Sequence, residues 1–124
     1  MTQKCVLVVG KFDKDEYWFS VLVDALRDYG AISIISGEEE MQDLTETQYK
    51  SSLVIIDSGS VGCLTDVISS VRELMYEAKI MVMSAAPTWK ESRQARYAGA
   101  GEYCPKSLDK NEILERVEGL IGMP

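Results

Sequence analysis

Short apolar runs alternate with amphipathic stretches along the whole chain. Most of the apolar runs are continuous, which is typical of parallel strands that are covered on both faces. These runs predict five strands, over residues 6–9, 32–35, 53–56, 80–83 and, more briefly, 102–104.

The segments between these runs have apolar residues three and four positions apart, the spacing of one face of a helix. Gly30 is expected to end the first helix, and Asp109 and Glu112 form a capping signal before the last one. The weakest predicted helix is 38–49, because it has only Met41, Leu44 and Tyr49 to bury.

The resulting order is strand then helix, five times over. Right-handed crossovers wind such a chain into one doubly wound, five-stranded parallel sheet with helices on both faces, a flavodoxin-like three-layer sandwich. We expect a single domain over residues 1–124, which could be the N-terminal part of a longer protein. Ligands bind such sheets at the carboxyl ends of the strands, here residues 10–13, 57–60, 84–86 and 105–107.

Composition indicates in which cellular compartment the protein is found. The chain has 46% hydrophobic and 27% charged residues, no apolar run near the ~20 residues of a membrane span, and no hydrophobic leader after Met1. We therefore expect a cytoplasmic protein that does not enter a membrane. Its three cysteines, Cys5, Cys63 and Cys104, match no disulfide or zinc pattern and are interpreted as reduced thiols.

Charge and histidine content exclude several functions. A net charge of −7 argues against direct contact with nucleic acid, which needs a basic surface. The chain contains no histidine, so catalysis by a histidine acid or base, histidine-bound metals and Ser-His-Asp triads are excluded.

Gly10 and Lys11 follow the first strand and invite comparison with a phosphate loop. The P-loop pattern GxxxxGK[ST] and the dinucleotide pattern GxGxxG both need further glycines that are missing here. The pair is therefore not a phosphate-binding loop.

Three polar residues follow other strands. Asp57 ends the third, Ser84 ends the fourth, and Lys106 comes just after the fifth. Together they suit aspartyl-phosphate chemistry, with Asp57 as nucleophile and Ser84 and Lys106 contacting phosphoryl oxygens. The alternative is that each is an ordinary polar residue at a strand end.

With these residues in place, the whole chain resembles the receiver domains of two-component response regulators, of the chemotaxis type. Asp57 matches the phospho-acceptor, Ser84-Ala85 the Thr/Ser-Ala pair, Tyr103 the switch aromatic and Lys106 the invariant lysine. The spacings from Ser84 to Tyr103 and from Tyr103 to Lys106 fit without gaps. The resemblance implies a cytoplasmic, non-catalytic signalling module whose partners are a sensor histidine kinase or another signalling protein.

The chain departs from this family at its metal site. Family members have an acidic pair after the first strand that helps to bind Mg²⁺, and Gly10 and Lys11 replace it here. The formal charge near Asp57 would change from about −2 to about +1, which disfavours Mg²⁺. We therefore expect no cofactor, and hypothesise that Lys11 takes the place of the metal and pairs with Asp57. Asp13 is a weak candidate for restoring the metal, and we expect it instead to be the N-cap of the first helix.

The resemblance also implies an output face formed by the fourth helix, fifth strand and fifth helix, which serves for partners or a homodimer. The fourth helix contributes aromatic and basic residues that could form one exposed stripe, namely Trp89, Lys90, Arg93, Arg96 and Tyr97. The alternative is an ordinary solvated face with Trp89 half-buried.

The sequence thus favours a divergent receiver domain in which Mg²⁺-dependent phosphorylation of Asp57 is weakened or lost. Two alternatives stay open. One is a fully phosphorylatable receiver that uses Asp13 to bind Mg²⁺, and the other is a flavodoxin-like enzyme or small-ligand-binding domain.

Overall fold

The residues that the structure describes form a single parallel sheet, as predicted. The structure is a computed structural model that describes residues 5–11, 13 and 15–122. Its strands lie in the order β2-β1-β3-β4-β5, and every neighbouring pair is parallel. The five strands are β1 (Cys5–Val9), β2 (Ala31–Ile35), β3 (Leu53–Asp57), β4 (Lys79–Ser84) and β5 (Glu102–Pro105).

Helices cover both faces of this sheet and complete the predicted doubly wound sandwich. They are α1 (Glu16–Leu26), α2 (Glu46–Tyr49), α3 (Leu64–Leu74), α4 (Trp89–Ala98) and α5 (Lys110–Ile121). Alternate residues of β1 belong to two separate cores. Val6 and Val8 pack with α1 and α5, whereas Leu7 and Val9 pack with α3 and with Ala95 of α4. This alternation explains why the central strands are apolar at nearly every position.

The segment 38–49 is not the single helix that was predicted. It forms a 3₁₀ helix over Glu38–Asp43, and α2 begins only at Glu46. Three consecutive glutamates are exposed at its start, and Met41 and Leu44 are its buried apolar residues. Tyr49, the third expected anchor, is 38% exposed. With so little apolar surface to bury, packing does not favour a continuous helix.

The predicted N-cap of α5 is confirmed, whereas the predicted start and end of α1 are wrong. Asp109 caps α5 as expected, its side chain accepting a hydrogen bond from the Asn111 N–H at 2.9 Å. The prediction for Asp13 is wrong, because α1 begins at Glu16 with Asp15 at the N-cap and Asp13 is exposed before it. The Asp15 side chain makes no capping hydrogen bond and is bound to Lys106 instead. Helix α1 also ends at Leu26, short of the predicted stop at Gly30.

Two further features concern the cysteines and the membrane. Cys63 and Cys104 are free thiols, and burial raises the pKa of Cys104 to about 11. No helix within the described part of the chain is long and apolar enough to cross a membrane.

Candidate functional site

The site lies where the winding of the sheet reverses. Strand β1 has β2 on one side and β3 on the other, so the connections that leave β1 and β3 run to opposite faces. At this edge Gly10 follows β1, Asp57 ends β3, Ser84 ends β4 and Lys106 follows β5. The topology therefore places the predicted residues at one edge of the sheet.

Asp57 is a buried carboxylate with hydrogen bonds to both oxygens. Its relative exposure is 1%. Oδ1 accepts a hydrogen bond from the Gly59 N–H at 3.1 Å and lies 3.1 Å from Lys106 Nζ. Oδ2 accepts a hydrogen bond from the Ser60 hydroxyl at 2.9 Å. Burial of a charge at this depth is tolerated because it is paired and hydrogen-bonded.

Ser60 is a site residue that the sequence analysis did not single out. Besides donating to Asp57, its Oγ accepts a hydrogen bond from the Lys11 backbone N–H at 3.0 Å. This hydroxyl therefore ties the segment after β1 to the carboxylate at the end of β3. A serine three residues after an aspartate in the segment "DSGS" is the only sequence signal for it.

Lys106 is shared between two carboxylates. Its Nζ lies 3.1 Å from Asp57 Oδ1 and 3.1 Å from Asp15 Oδ2, and its side chain is only 10% exposed. The ammonium also lies 4.5 Å from the centroid of the Trp18 ring, within the range of a cation–π contact. Because Trp18 and Asp15 belong to the start of α1, Lys106 joins that helix to the end of β3.

The partner of Asp57 is thus Lys106 rather than Lys11. The Lys11 side chain is exposed, and none of the ion pairs among the described residues includes it. Its backbone N–H is the group that faces the site, through Ser60. The hypothesis of a Lys11–Asp57 pair therefore gives way to a different arrangement, in which Asp15 and Asp57 share Lys106.

Gly10 is required by close packing. A Cβ atom built on Gly10 would lie 2.7 Å from Cζ of Phe19 and 3.0 Å from Cβ of Asp57. Phe19 is fully buried against Trp18, so its ring has little room to move. With Phe19 in this position, a carboxylate side chain cannot be accommodated at position 10.

The residues present do not fit a Mg²⁺ ion, which needs several oxygen ligands in near-octahedral geometry. Gly10 supplies no side chain, and the two carboxylates of the site, Asp15 and Asp57, already share the Lys106 ammonium. Asp13 is exposed, and nowhere in residues 5–11, 13 and 15–122 do three potential metal-binding side chains come together. A cation at this edge would have to compete with the Lys106 ammonium for both carboxylates.

Ser84 and Tyr103 are buried beside the site. The Ser84 Oγ accepts a hydrogen bond from the Ala86 N–H at 3.2 Å. Tyr103 is 8% exposed, and its hydroxyl accepts a hydrogen bond from the Thr88 N–H at 3.2 Å and donates one to Glu91 Oε1 at 2.7 Å. Burial, reinforced by the Glu91 carboxylate, raises the pKa of Tyr103. The phenol therefore stays protonated and bridges two residues at the start of α4.

The predicted stripe on α4 is exposed. All of its residues are exposed to solvent, namely Trp89, Lys90, Arg93, Arg96 and Tyr97. Trp89 is 76% exposed and Tyr97 95% exposed, so the alternative of a half-buried Trp89 is wrong. Arg93 lies 5.4 Å from the centroid of the Trp89 ring, and Arg96 pairs with Glu102 of β5 at 3.1 Å. The surface combines cations with large aromatic side chains.

A five-stranded parallel sheet in this order, with helices on both faces, is the flavodoxin-like fold that response-regulator receiver domains share. Comparison with solved structures agrees. The chain is similar to a response regulator from Thermotoga maritima, with a TM-score of 0.79 and 24% identity over 98% of this chain and 100% of the other. It is also similar to a CheY-like receiver domain protein from Methanospirillum hungatei, with a TM-score of 0.75 and 15% identity over 95% and 93% of the two chains.

A third similar structure is a response regulator from Burkholderia pseudomallei with a phosphorylated aspartic acid and a calcium ion. Its TM-score is 0.75, with 18% identity over 95% of this chain and 66% of the other. No family model matches the sequence, and no curated protein matches it. The similarity is therefore in the three-dimensional fold, and the sequence identity is low.

Proposed function

We propose that this chain is a cytoplasmic, non-catalytic signalling module, a receiver-like domain in which Mg²⁺-dependent phosphorylation of Asp57 is weakened or lost. One observation supports this most strongly. The two carboxylates of the site, Asp15 and Asp57, are both bound to the Lys106 ammonium at 3.1 Å, and Gly10 supplies no further carboxylate beside them. Lysine in this arrangement supplies positive charge without a metal.

The position of Asp57 supports its assignment as the acceptor equivalent. It is the last residue of β3, it is bound to Lys106, and the Burkholderia neighbour of similar fold contains a phosphorylated aspartic acid. Asp57 differs from the acceptor of a receiver in how accessible its carboxylate is to a phosphoryl group. Gly59, Ser60 and Lys106 together engage both carboxylate oxygens, so an incoming phosphoryl group would have to displace one of these donors.

Gly10 supports the loss of the metal independently. In a receiver, the metal neutralises charge on the phosphoryl group as it reaches the aspartate. The close contacts of Gly10 with Phe19 and Asp57 leave no space for the missing acid. Reversal to a Mg²⁺ site would thus need changes at two positions or more, and one substitution would not be sufficient.

A titration with Mg²⁺ and the phosphoryl mimic beryllofluoride tests this proposal. We expect no saturable shift of the Gly59 or Ser60 amide signals in NMR spectra, because the acidic pair that would hold Mg²⁺ beside Asp57 is replaced by Gly10 and Lys11. The Asp57→Asn variant is the matched control for non-specific effects of the reagents. Tight, saturable shifts around Asp57 that the control lacks would refute the proposal.

We propose that the exposed face of α4 binds protein partners, such as a sensor kinase or a second copy of this chain. Tyrosine, tryptophan and arginine are the residues that most often dominate binding energy in interfaces, and this face presents all three. Its cations are unusual in a chain of net charge −7, so an acidic partner surface would be complementary.

The purified chain can test this face through self-association. We expect sedimentation velocity to show a dimer that weakens by about tenfold in dissociation constant in the Tyr97→Ala variant. Tyr76→Ala is the matched control, because Tyr76 is 75% exposed but lies in the segment between α3 and β4, outside α4. A dimer weakened equally by both substitutions would contradict a role for α4, and a strict monomer would exclude the homodimer.

A further inference from the structure

Two hollows lie between the segment 38–51 and the end of helix α3, and no residue of α4 lines either of them. The larger has a volume of about 380 Å³ and the smaller one of about 140 Å³. Tyr49 of α2 and Leu74 of α3 line both hollows, so the two adjoin. We call them together the α2–α3 groove. It is distinct from the stripe of aromatic and basic residues on α4.

The wall of the groove exposes large apolar side chains. Tyr49, Leu74 and Tyr76 all line the smaller hollow, and they are 38%, 39% and 75% exposed. Exposed apolar side chains that lie together, and not singly, mark a surface that binds another molecule. Ser51 lines the same hollow, and its buried Oγ has no hydrogen-bond partner among the described residues. The free chain thus leaves a polar atom in the wall of the groove unpaired.

The groove is also acidic. Glu38 and Glu73 line the larger hollow and Glu77 lines the smaller one. None of these three glutamates belongs to an ion pair within the described residues. Lys50 lines the smaller hollow as well, but it is paired with Glu46 at 3.0 Å. Helix α3 ends at this groove, and the negative end of its dipole favours cations there too.

We propose that the α2–α3 groove binds a basic segment of a partner protein, in which lysines or arginines flank an apolar anchor. The anchor packs against Tyr49 and Leu74, and the flanking cations pair with Glu73 and Glu77. The exposed tyrosine rings provide further contacts for a cation over their faces. Charge argues against other occupants, because nucleic acids and anionic membranes are negative and a second copy of this chain has the same net charge of −7.

A short amphipathic peptide made only of leucine and lysine is the probe that tests this proposal. We expect saturable binding in isothermal titration calorimetry, with shifts of the Leu74 and Tyr76 amide signals in NMR spectra. Replacing two carboxylates of the groove, in Glu73→Gln with Glu77→Gln, should weaken binding about tenfold, and Tyr76→Ala should also weaken it. The same peptide with glutamate in place of lysine should not bind.

The matched control for the groove variant removes the same amount of charge elsewhere. Asp28→Asn with Glu115→Gln changes two exposed acids that do not line the groove, and it should leave peptide binding unchanged. Equal weakening by the two double variants would show that the peptide is attracted only by net charge, and would overturn the proposal. Absence of saturable binding by the lysine peptide would overturn it as well.

The test separates this surface from the α4 face of the proposed function, on which the inference does not depend. Tyr97→Ala should leave peptide binding unchanged, whereas Tyr76→Ala should leave self-association through α4 unchanged. Self-association weakened by Tyr76→Ala would mean that a second copy occupies the groove, and would contradict the choice of a basic partner. Since the assay uses neither a phosphodonor nor Mg²⁺, its outcome is independent of whether Asp57 is phosphorylated.

Discussion

Replacing Gly10 by alanine is expected to lower the free energy of unfolding by about 2 kcal/mol, as overpacking of a buried position usually does. The added methyl group would lie 2.7 Å from Phe19 Cζ and 3.0 Å from Asp57 Cβ. Neither neighbour can retreat easily, because Phe19 is fully buried and Asp57 is fixed by its hydrogen bonds. Urea denaturation of the two proteins measures the difference.

The matched control for Gly10 is a second substitution that makes room. Adding Phe19→Leu removes the Cζ atom, so the double variant should lose less stability than the sum of the two single losses. Gly119→Ala, at a position in α5 where nothing lies within 4 Å of a Cβ, should instead raise stability by about 1 kcal/mol through helix propensity, which sets the steric loss at Gly10 apart from a general effect of alanine. A Gly10→Ala variant as stable as the wild type would show that the contact with Phe19 is easily relieved.

The second large effect is expected at Lys106. Replacing it by methionine keeps the apolar stem but leaves the buried Asp57 carboxylate without its cation, which should cost about 3 kcal/mol of stability. Removing the charge of Asp57 as well, in Asp57→Asn with Lys106→Met, should restore part of this loss. Chemical denaturation curves of the single and double variants measure both values.

Lys110→Met is the matched control for Lys106. Its ion pair with Asp24 is at the surface, and its side chain is 55% exposed, so we expect a much smaller loss than for Lys106→Met. Equal losses for the two lysine variants would contradict a structural role for the Lys106 pair. So would a double variant that is less stable than Lys106→Met alone.

The sheet could be predicted from the sequence because burial on both faces leaves a simple signal. Runs such as Leu53–Asp57 are apolar at every position up to the final carboxylate, and alternation of strands and helices then admits few topologies. The segment 38–49 gave a weaker signal and was predicted wrongly, since three exposed glutamates and two buried side chains do not determine a helix.

The contacts within the site were harder to predict. The edge of the sheet and the residues Asp57, Ser84 and Lys106 follow from strand ends, but which side chains meet depends on the path of the chain after β1. Asp13 and Asp15 are two residues apart, and only the position at which α1 begins brings Asp15 to Lys106. The steric role of Gly10 was equally hidden, because it depends on where the Phe19 ring packs.

The central claim is that Mg²⁺ does not support phosphorylation of Asp57, and intact-mass spectrometry tests it most directly. The chain is incubated with acetyl phosphate, with and without Mg²⁺, beside the Asp57→Asn variant. We predict that Mg²⁺ does not raise the fraction carrying one phosphoryl group, and that this fraction is the same in the wild type and in the variant, each measured against its own unmodified mass. A phosphorylated species that appears with Mg²⁺ and is absent from the Asp57→Asn variant would contradict the account.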